Sequence, residues 1–357
     1  MPGGNKSRKG YHDLLQSLHP FGVGNHILPS IIVLPLRVCK TQMKLISCLL
    51  SLIFIVSCSS SQTAVPVVEI ISTTQPSPTP TITSLPPAVT TVPTIAPTDT
   101  AIPCETFTAD FCITDGYFLL QRPIHPPAND SVDRIYPYAS TADGTRDPHR
   151  GVEFVNEFGT PVYAAGEGVV IFAGPDDEAI YSPWQIYYGN LVVIQHNDEL
   201  FTLYAHLSKI EVDGGDVVQA GDQIGEVGST GAAIGSHLHF EVRRGEVEDY
   251  FSMENPELWL LPSQFDFGAM EISIINATSQ FQKAAFTIQR INDSNDVLVT
   301  YYVGTYHPTL ALGSENAAIG DLPAGKYRIT LIFNGYLYER WVEVQSSKLT
   351  QVVIVVK

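Results

Sequence analysis

Basic side chains are scarce in this sequence. Among its 357 residues, Lys and Arg together number 20 while Asp and Glu number 37, which gives a formal net charge of −17. A protein that binds nucleic acid through the phosphate backbone needs a basic surface. We therefore expect no nucleic-acid partner.

Cysteine is also sparse, and no two cysteines stand in a Cys-x-x-Cys pair. This absence excludes a thiolate zinc knuckle and a thioredoxin-type redox site. Cys104 and Cys112 are close enough in sequence to close a small loop, so we expect a disulfide between them in an oxidising compartment. The alternative is a pair of unrelated buried thiols.

No membrane-spanning length of apolar sequence stands near the front of the chain. The apolar run from Leu45 to Val56 is too short to cross a bilayer comfortably. It follows Met43 and the basic Lys44, as in a secretory signal with a short basic start. An aliphatic-aliphatic-small triplet directly before Cys58 resembles the bacterial lipobox, which implies lipidation of Cys58 and an extracytoplasmic protein anchored to the membrane. An uncleaved N-terminal anchor is the alternative.

Long helical periodicity is missing from the rest of the chain, and the texture divides it into segments. Residues 1–42 are predicted to be a non-native upstream extension, with Met43 the initiator, and residues 43–57 the lipoprotein signal. Residues 58–103 are rich in Thr, Pro and Ser, which is typical of a semi-rigid linker. We expect two folded domains to follow, at 104–262 and 265–357.

Both of these domains are predicted to be built from strands, so the expected fold class is all-β. Residues 104–262 contain short β-type runs, such as Pro161–Phe172, broken by Gly and Pro, which favours a mostly antiparallel sheet. Residues 265–357 contain six or seven such runs and predict a small β-sandwich. Asp321-Leu-Pro-Ala-Gly325 is predicted to be a turn that leads into one of its strands.

The chemistry-bearing residues lie in the first of these domains. His237 and His239 are two positions apart in a β-type run, so their side chains project from the same face of a strand. His149 and Glu153 add an imidazole and a carboxylate four positions apart. A hydrolytic zinc site takes three nitrogen or oxygen ligands from the protein and keeps one place for water. His149, Glu153 and one of the strand histidines supply that number, with surface histidines as the alternative.

The order of these motifs resembles the lysostaphin-type (LytM-like) zinc endopeptidases. The matching stretches within residues 135–245 include His149-Arg-Gly-Val-Glu153, Thr202-Leu-Tyr-Ala-His206 and His237-Leu-His239-Phe-Glu241. The resemblance implies a fold of the duplicated hybrid motif type, with Zn²⁺ held by His149, Glu153 and His239. It also implies that His206 and His237 are catalytic imidazoles without a metal bond, and it leaves His196 outside the site.

The family's substrates are peptide cross-links of bacterial peptidoglycan, so the resemblance implies a zinc-dependent peptidoglycan endopeptidase. One position departs from the family pattern, because Glu153 stands where Asp is usual. A catalytically weak or inactive relative, which binds the wall or activates another wall hydrolase, is therefore an alternative. A lipoyl- or biotinyl-carrier domain is another, but its exposed lysine beside a methionine is missing, since Lys209 is the only lysine in residues 104–262.

Overall fold

The computed structural model describes residues 104–310 and 313–357. Three predicted segments lie outside the described residues: the extension 1–42, the signal 43–57 and the linker 58–103, which contains the lipidation site Cys58. Within the described residues, no helix is both long and apolar enough to cross a membrane. The structure joins Cys104 and Cys112 in a disulfide.

The prediction of an all-β chain is confirmed, since the described residues form eighteen strands and a single turn of 3-10 helix at Pro256–Leu258. Two antiparallel sheets occupy residues 152–254. Their strands, in chain order, are β2 Val152–Val155, β3 Pro161–Tyr163, β4 Gly168–Pro175, β5 Asn190–Gln195, β6 Leu200–Ala205, β7 Lys209–Ile210, β8 Val217–Val218, β9 Gln223–Glu226, β10 His237–Arg244 and β11 Met253–Glu254.

The larger sheet has the order β11-β10-β6-β5-β4-β8, with β2 also paired to β10. Strand β10 is therefore flanked by β6 on one side and by β2 and then β11 on the other. The smaller sheet has the order β3-β9-β7. Strand β5 is a continuous apolar run, Leu191 to Ile194, and all four of its side chains are fully buried. Such a run forms a strand that is covered on both faces. Its side chains share one core with Leu238 and Phe240 of β10.

Two four-stranded sheets form the second β region. The strands are β1 Cys112–Thr114, β12 Phe267–Asn276, β13 Ala285–Ile291, β14 Val297–Gly304, β15 Ala317–Pro323, β16 Gly325–Phe333, β17 Tyr336–Val344 and β18 Leu349–Val356. One sheet has the order β1-β18-β12-β15 and the other β14-β13-β16-β17. Alternation is clear in β16, where Tyr327, Ile329 and Leu331 are buried and the residues between them are not.

Strand β1 pairs across the expected division of the chain at 262–265. It precedes all the strands of the first region, yet it pairs antiparallel with β18, with Cys112 opposite Gln351. Its residues complete the sheet of the second region, because β18 would otherwise be an edge strand beside β12. The first β region is thus inserted in the chain between β1 and the other strands of the sandwich.

Ion pairs bind the two regions together. The Arg122 guanidinium donates to both carboxylate oxygens of Asp321, at 2.6 and 2.7 Å. Arg134 donates to the Gly320 carbonyl at 2.7 Å and pairs with the buried Glu257. These contacts fix the sandwich against the segment that leads into the first region.

Two expectations about strand boundaries were wrong. The run from Pro161 to Phe172 is two strands, because the chain leaves the small sheet after Tyr163 and the Ala165 amide donates to the Tyr204 hydroxyl instead, at 2.8 Å. Asp321 to Pro323 is not a turn but the end of β15, since its pairing with β12 continues as far as Pro323. Only Ala324 separates β15 from β16.

Candidate metal centre

The register of two strands brings the first ligand candidates together. His239 on β10 lies directly opposite Glu153 on β2, while Leu238 and Phe240 point into the core and are fully buried. His149 lies just before β2. Gly151 allows this approach, because a β-carbon there would lie 2.9 Å from the His239 ring and 2.4 Å from the Phe240 carbonyl oxygen.

The three predicted ligands form a small triangle of buried atoms. His149 Nε2 lies 2.8 Å from Glu153 Oε1 and 3.2 Å from His239 Nδ1, and His239 Nδ1 lies 3.1 Å from Glu153 Oε1. In a tetrahedral zinc site with bonds of 2.0–2.1 Å, ligand atoms stand about 3.3 Å apart. The triangle is close to that size, and it is a group of the kind that holds a metal ion.

Each ligand imidazole makes a hydrogen bond with the ring nitrogen that faces away from the triangle, and this leaves the electron pair of its other nitrogen directed into the triangle. His149 Nδ1 lies 3.3 Å from the Pro137 carbonyl oxygen, and His239 Nε2 lies 3.0 Å from Glu241 Oε1. Since these oxygens only accept hydrogen bonds, the outer nitrogens carry the protons. His149 Nε2, His239 Nδ1 and Glu153 Oε1 are then three electron-pair donors with no hydrogen between them, which is the donor set of a cation site.

The pKa shifts of His239 and Glu153 also show that the triangle favours a positive charge. Burial disfavours a charge on either group, but the partners outweigh it. Glu153 raises the pKa of His239 to about 10, and the charges and hydrogen bonds of His239 and His149 hold the pKa of Glu153 well below its usual range. Both shifts show that the cluster favours a positive charge beside the Glu153 carboxylate.

The two remaining predicted site histidines lie beside the triangle. His237 Nε2 is 3.1 Å from Glu153 Oε2, a buried oxygen that accepts no hydrogen bond in the described structure. His206 follows β6 with a positive φ of 63°, and its ring centre lies 4.9 Å from that of His237 and 5.6 Å from that of His239. The structure therefore brings together all five residues named from the sequence.

His206 is held as a neutral imidazole. Its Nδ1 donates to the Thr230 carbonyl oxygen at 2.9 Å, which leaves Nε2 as an acceptor. Burial, aided by the neighbouring His239 and His237, lowers the pKa of His206 to about 3. At neutral pH His206 is therefore an uncharged ring whose Nε2 can accept a hydrogen bond.

His196 lies apart from this cluster, as expected. Its Nδ1 donates to the Glu167 carbonyl oxygen at 2.7 Å, and its Nε2 lies 2.8 Å from the Thr202 hydroxyl. Both ring nitrogens are therefore used in packing the sheet.

Sequence reasoning missed the residues behind the ligands. Tyr136 stacks on the His149 ring with centres 4.2 Å apart. Glu241 and Arg243 follow His239 at alternate positions of β10 and are fully buried with Tyr188. The alternation that placed His237 beside His239 also places Glu241 and Arg243 on that face, so this signal was present in the sequence.

The profile of Peptidase family M23 matches residues 147–250, which contain all five site residues. These residues belong to peptidase family M23. The second β region lies outside the match.

Known relatives share the same part of the chain. Peptidoglycan DD-endopeptidase ShyA of Vibrio cholerae is 44% identical over 95 residues, which are 27% of this chain and 20% of ShyA. The uncharacterized lipoprotein YgeR of Escherichia coli is 40% identical over 109 residues, 30% of this chain and 38% of YgeR. The matches thus span between a fifth and two fifths of these relatives.

A solved structure of the catalytic domain of lysostaphin from Staphylococcus simulans also overlaps with the chain. It is 29% identical, with a TM-score of 0.27, and the overlap covers 41% of this chain and 89% of that domain.

Proposed function

We propose that the protein is a zinc-dependent endopeptidase that hydrolyses peptide cross-links of bacterial peptidoglycan. The observation that carries the proposal is the buried triangle of His149, Glu153 and His239 with two further imidazoles beside it. Membership of residues 147–250 in peptidase family M23 and similarity to a peptidoglycan DD-endopeptidase support the substrate class.

Zinc fits the donor set, because two imidazole nitrogens and one carboxylate oxygen leave a fourth position for water. When bound, the ion supplies Lewis-acid activation of that water and of the scissile carbonyl. Glu153 replaces the usual Asp but still reaches both imidazoles within 3.1 Å. The longer side chain is therefore accommodated, and this favours the enzyme over the inactive relative.

We assign proton transfer in the proposed reaction to an imidazole that does not bind the metal. We assign His237 as the base, because its Nε2 lies beside the ligand carboxylate at 3.1 Å. It takes a proton from the attacking water as the oxygen bonds to the amide carbon, and it returns that proton to the nitrogen as the carbon–nitrogen bond breaks. His206 lies beside it, with ring centres 4.9 Å apart, and we assign it to the substrate side of the site.

The predicted lipid anchor fits this substrate. Lipidation of Cys58 would hold the enzyme outside the cytoplasm, at the envelope, where the polymer lies. We expect a Cys58→Ala variant to lose its membrane association in cell fractionation without losing turnover on soluble wall fragments. Equal membrane association of variant and wild type would overturn the anchor and leave the enzyme proposal unaffected.

The deciding experiment measures zinc and turnover together on the full chain. We expect about one zinc per chain, and a release of new amino groups from purified peptidoglycan that a chelator abolishes and zinc restores. His206→Ala should keep the zinc and lose turnover by a factor of about 10²–10⁴. Zinc without release from any peptidoglycan would favour the inactive relative, and absence of both would overturn the proposal.

A further inference from the structure

Behind the metal triangle lies a second buried cluster, formed by Glu241, Arg243 and Tyr188, all of them fully buried. Glu241 Oε1 accepts from the Tyr188 hydroxyl at 2.7 Å and lies 3.0 Å from His239 Nε2. Glu241 Oε2 accepts from Arg243 Nε at 2.9 Å and lies 2.8 Å from Arg243 Nη2. Both oxygens of this carboxylate therefore face donors.

The arginine of this cluster is fixed in place. Its Nη1 donates to the Val247 carbonyl oxygen at 2.6 Å, and its Nη2 donates to the Tyr181 carbonyl oxygen at 2.9 Å and to the Tyr188 hydroxyl at 2.8 Å. Since the tyrosine oxygen accepts from Arg243, its own hydrogen is directed to Glu241. The carboxylate thus has one orientation and only accepts hydrogen bonds.

We propose that Glu241 is a positioning residue that selects the nitrogen with which His239 binds the cation. This inference rests on the metal site of the proposed function. Because Glu241 Oε1 accepts from the Tyr188 hydroxyl and Oε2 faces the Arg243 guanidinium, the carboxylate can only accept from Nε2, which therefore carries the ring proton. His239 then presents Nδ1, which is the atom that lies 3.1 Å from Glu153 and 3.2 Å from His149.

A glutamine at this position reverses the selection. The amide of a Glu241→Gln variant has one accepting and one donating end. The two N–H groups of the charged Arg243 guanidinium outcompete the single Tyr188 hydroxyl, which can rotate its hydrogen, for the accepting end. The amide NH₂ is then directed at His239 Nε2, which must become an acceptor. The proton moves to Nδ1, inside the triangle, where it occupies the electron pair that binds the metal.

The test compares zinc affinities by competition with a chromophoric chelator, using the full-length protein. We expect Glu241→Gln to lose at least about tenfold in zinc affinity, within the 10–100-fold range typical of such outer partners. The matched control is Glu257→Gln, which alters another buried glutamate paired with an arginine, Arg134, away from the site. It should keep the wild-type zinc affinity even where its thermal stability falls.

A rescue variant separates selection of the nitrogen from a merely structural role. With Arg243→Met added to Glu241→Gln, nothing holds the amide oxygen away from His239, so the amide can turn and accept from Nε2. Zinc affinity should recover by several-fold relative to the single variant. A structural role predicts further loss instead.

Wild-type protein provides a measurement that needs no variant to fold. In zinc-loaded protein labelled with ¹⁵N-histidine, long-range proton–nitrogen spectra should place the proton of His239 on Nε2. A proton on Nδ1, or wild-type zinc affinity in folded Glu241→Gln, would overturn the inference. Absence of zinc binding by the wild type would instead overturn the proposed function, so the two failures are distinguishable.

Discussion

The two β regions of the chain bury very different side chains in similar sheets. The sandwich core consists of aliphatic and aromatic groups such as Ile272, Tyr327 and Ile354. Strand β10 instead buries His239, Glu241 and Arg243 in succession on one face. Buried charge is costly unless each group has a partner. The first region therefore gives up apolar packing on one strand face in order to hold a cluster of polar, titratable side chains.

The largest expected effect comes from one substitution in the polar cluster, compared with one in the apolar core of the sandwich. We expect His239→Ala to remove nearly all bound zinc and turnover, because the triangle loses one of its three donors. Ile354→Ala, in the other core, should lower the free energy of unfolding by about 2–5 kcal/mol and leave the zinc content of the folded protein unchanged. Metal analysis and denaturant unfolding of both variants measure the two effects. Zinc loss in folded Ile354→Ala would show that the regions do not divide the work in this way.

A second substitution tests how closely the metal triangle is fitted to its ligands. Glu153→Asp shortens the carboxylate by one methylene and withdraws it from His149 Nε2, now 2.8 Å away. We expect zinc affinity to fall roughly tenfold, an effect similar to the loss of an outer partner. The chelator competition assay measures it. Tighter binding by the variant would mean that Glu153 is the poorer ligand on this backbone.

The ion pair between the regions tests whether they unfold together. Arg122 and Asp321 have side chains only 10% and 12% exposed. Asp321→Ala leaves a largely buried guanidinium without its partner, so we expect a loss of about 2–3 kcal/mol in the free energy of unfolding.

The matched control for this ion pair is Asp293→Ala, whose partner Lys326 is exposed, and it should cost less than about 1 kcal/mol. Calorimetry of the wild type should show a single transition. Two separate transitions that Asp321→Ala leaves unmoved would show that the ion pair does not couple the regions.

The smallest expected effect concerns pH. Burial lowers the pKa of His196 below its ordinary value of 6.5. Above pH 6.5 the residue is neutral in both folded and unfolded chains and its contribution is complete. As pH falls below 6.5 the unfolded chain takes up a proton first, so stability declines. His196→Gln should flatten this part of the stability profile and spare zinc binding, and an unchanged profile would contradict the assignment.

Much of the candidate site could be predicted because its spacing is local. His237 and His239 share a strand face by alternation alone, and His149 and Glu153 flank Gly151 within one short motif. The meeting of β2 with β10 was not visible in spacing, and only the resemblance to a known family supplied it. Tyr188 was missed because it lies in a loop and reaches Glu241 through tertiary contact.

The fold was predictable to the same degree. Alternating and continuous apolar runs identified most long strands, such as β5 and β16. The pairing of Cys112 with Gln351 was not predictable, because a three-residue strand carries little pattern and its partner lies across the whole first region. The end of β15 was misread because Asp and Pro commonly mark turns, whereas here pairing with β12 outweighs that preference.

The pairing of β1 with β18 has a consequence for the order in which the protein forms. During synthesis, β1 leaves the ribosome before any strand of the first region, and β18 only after β17. The sheet that contains both strands therefore cannot be completed until β18 has been synthesised, and until then β12 also lacks its parallel partner β18. The first β region can assemble while the sandwich is still open, and insertion of β18 between β1 and β12 comes last. A ribosome-stalled chain lacking β18 should thus be sensitive to protease at the sandwich.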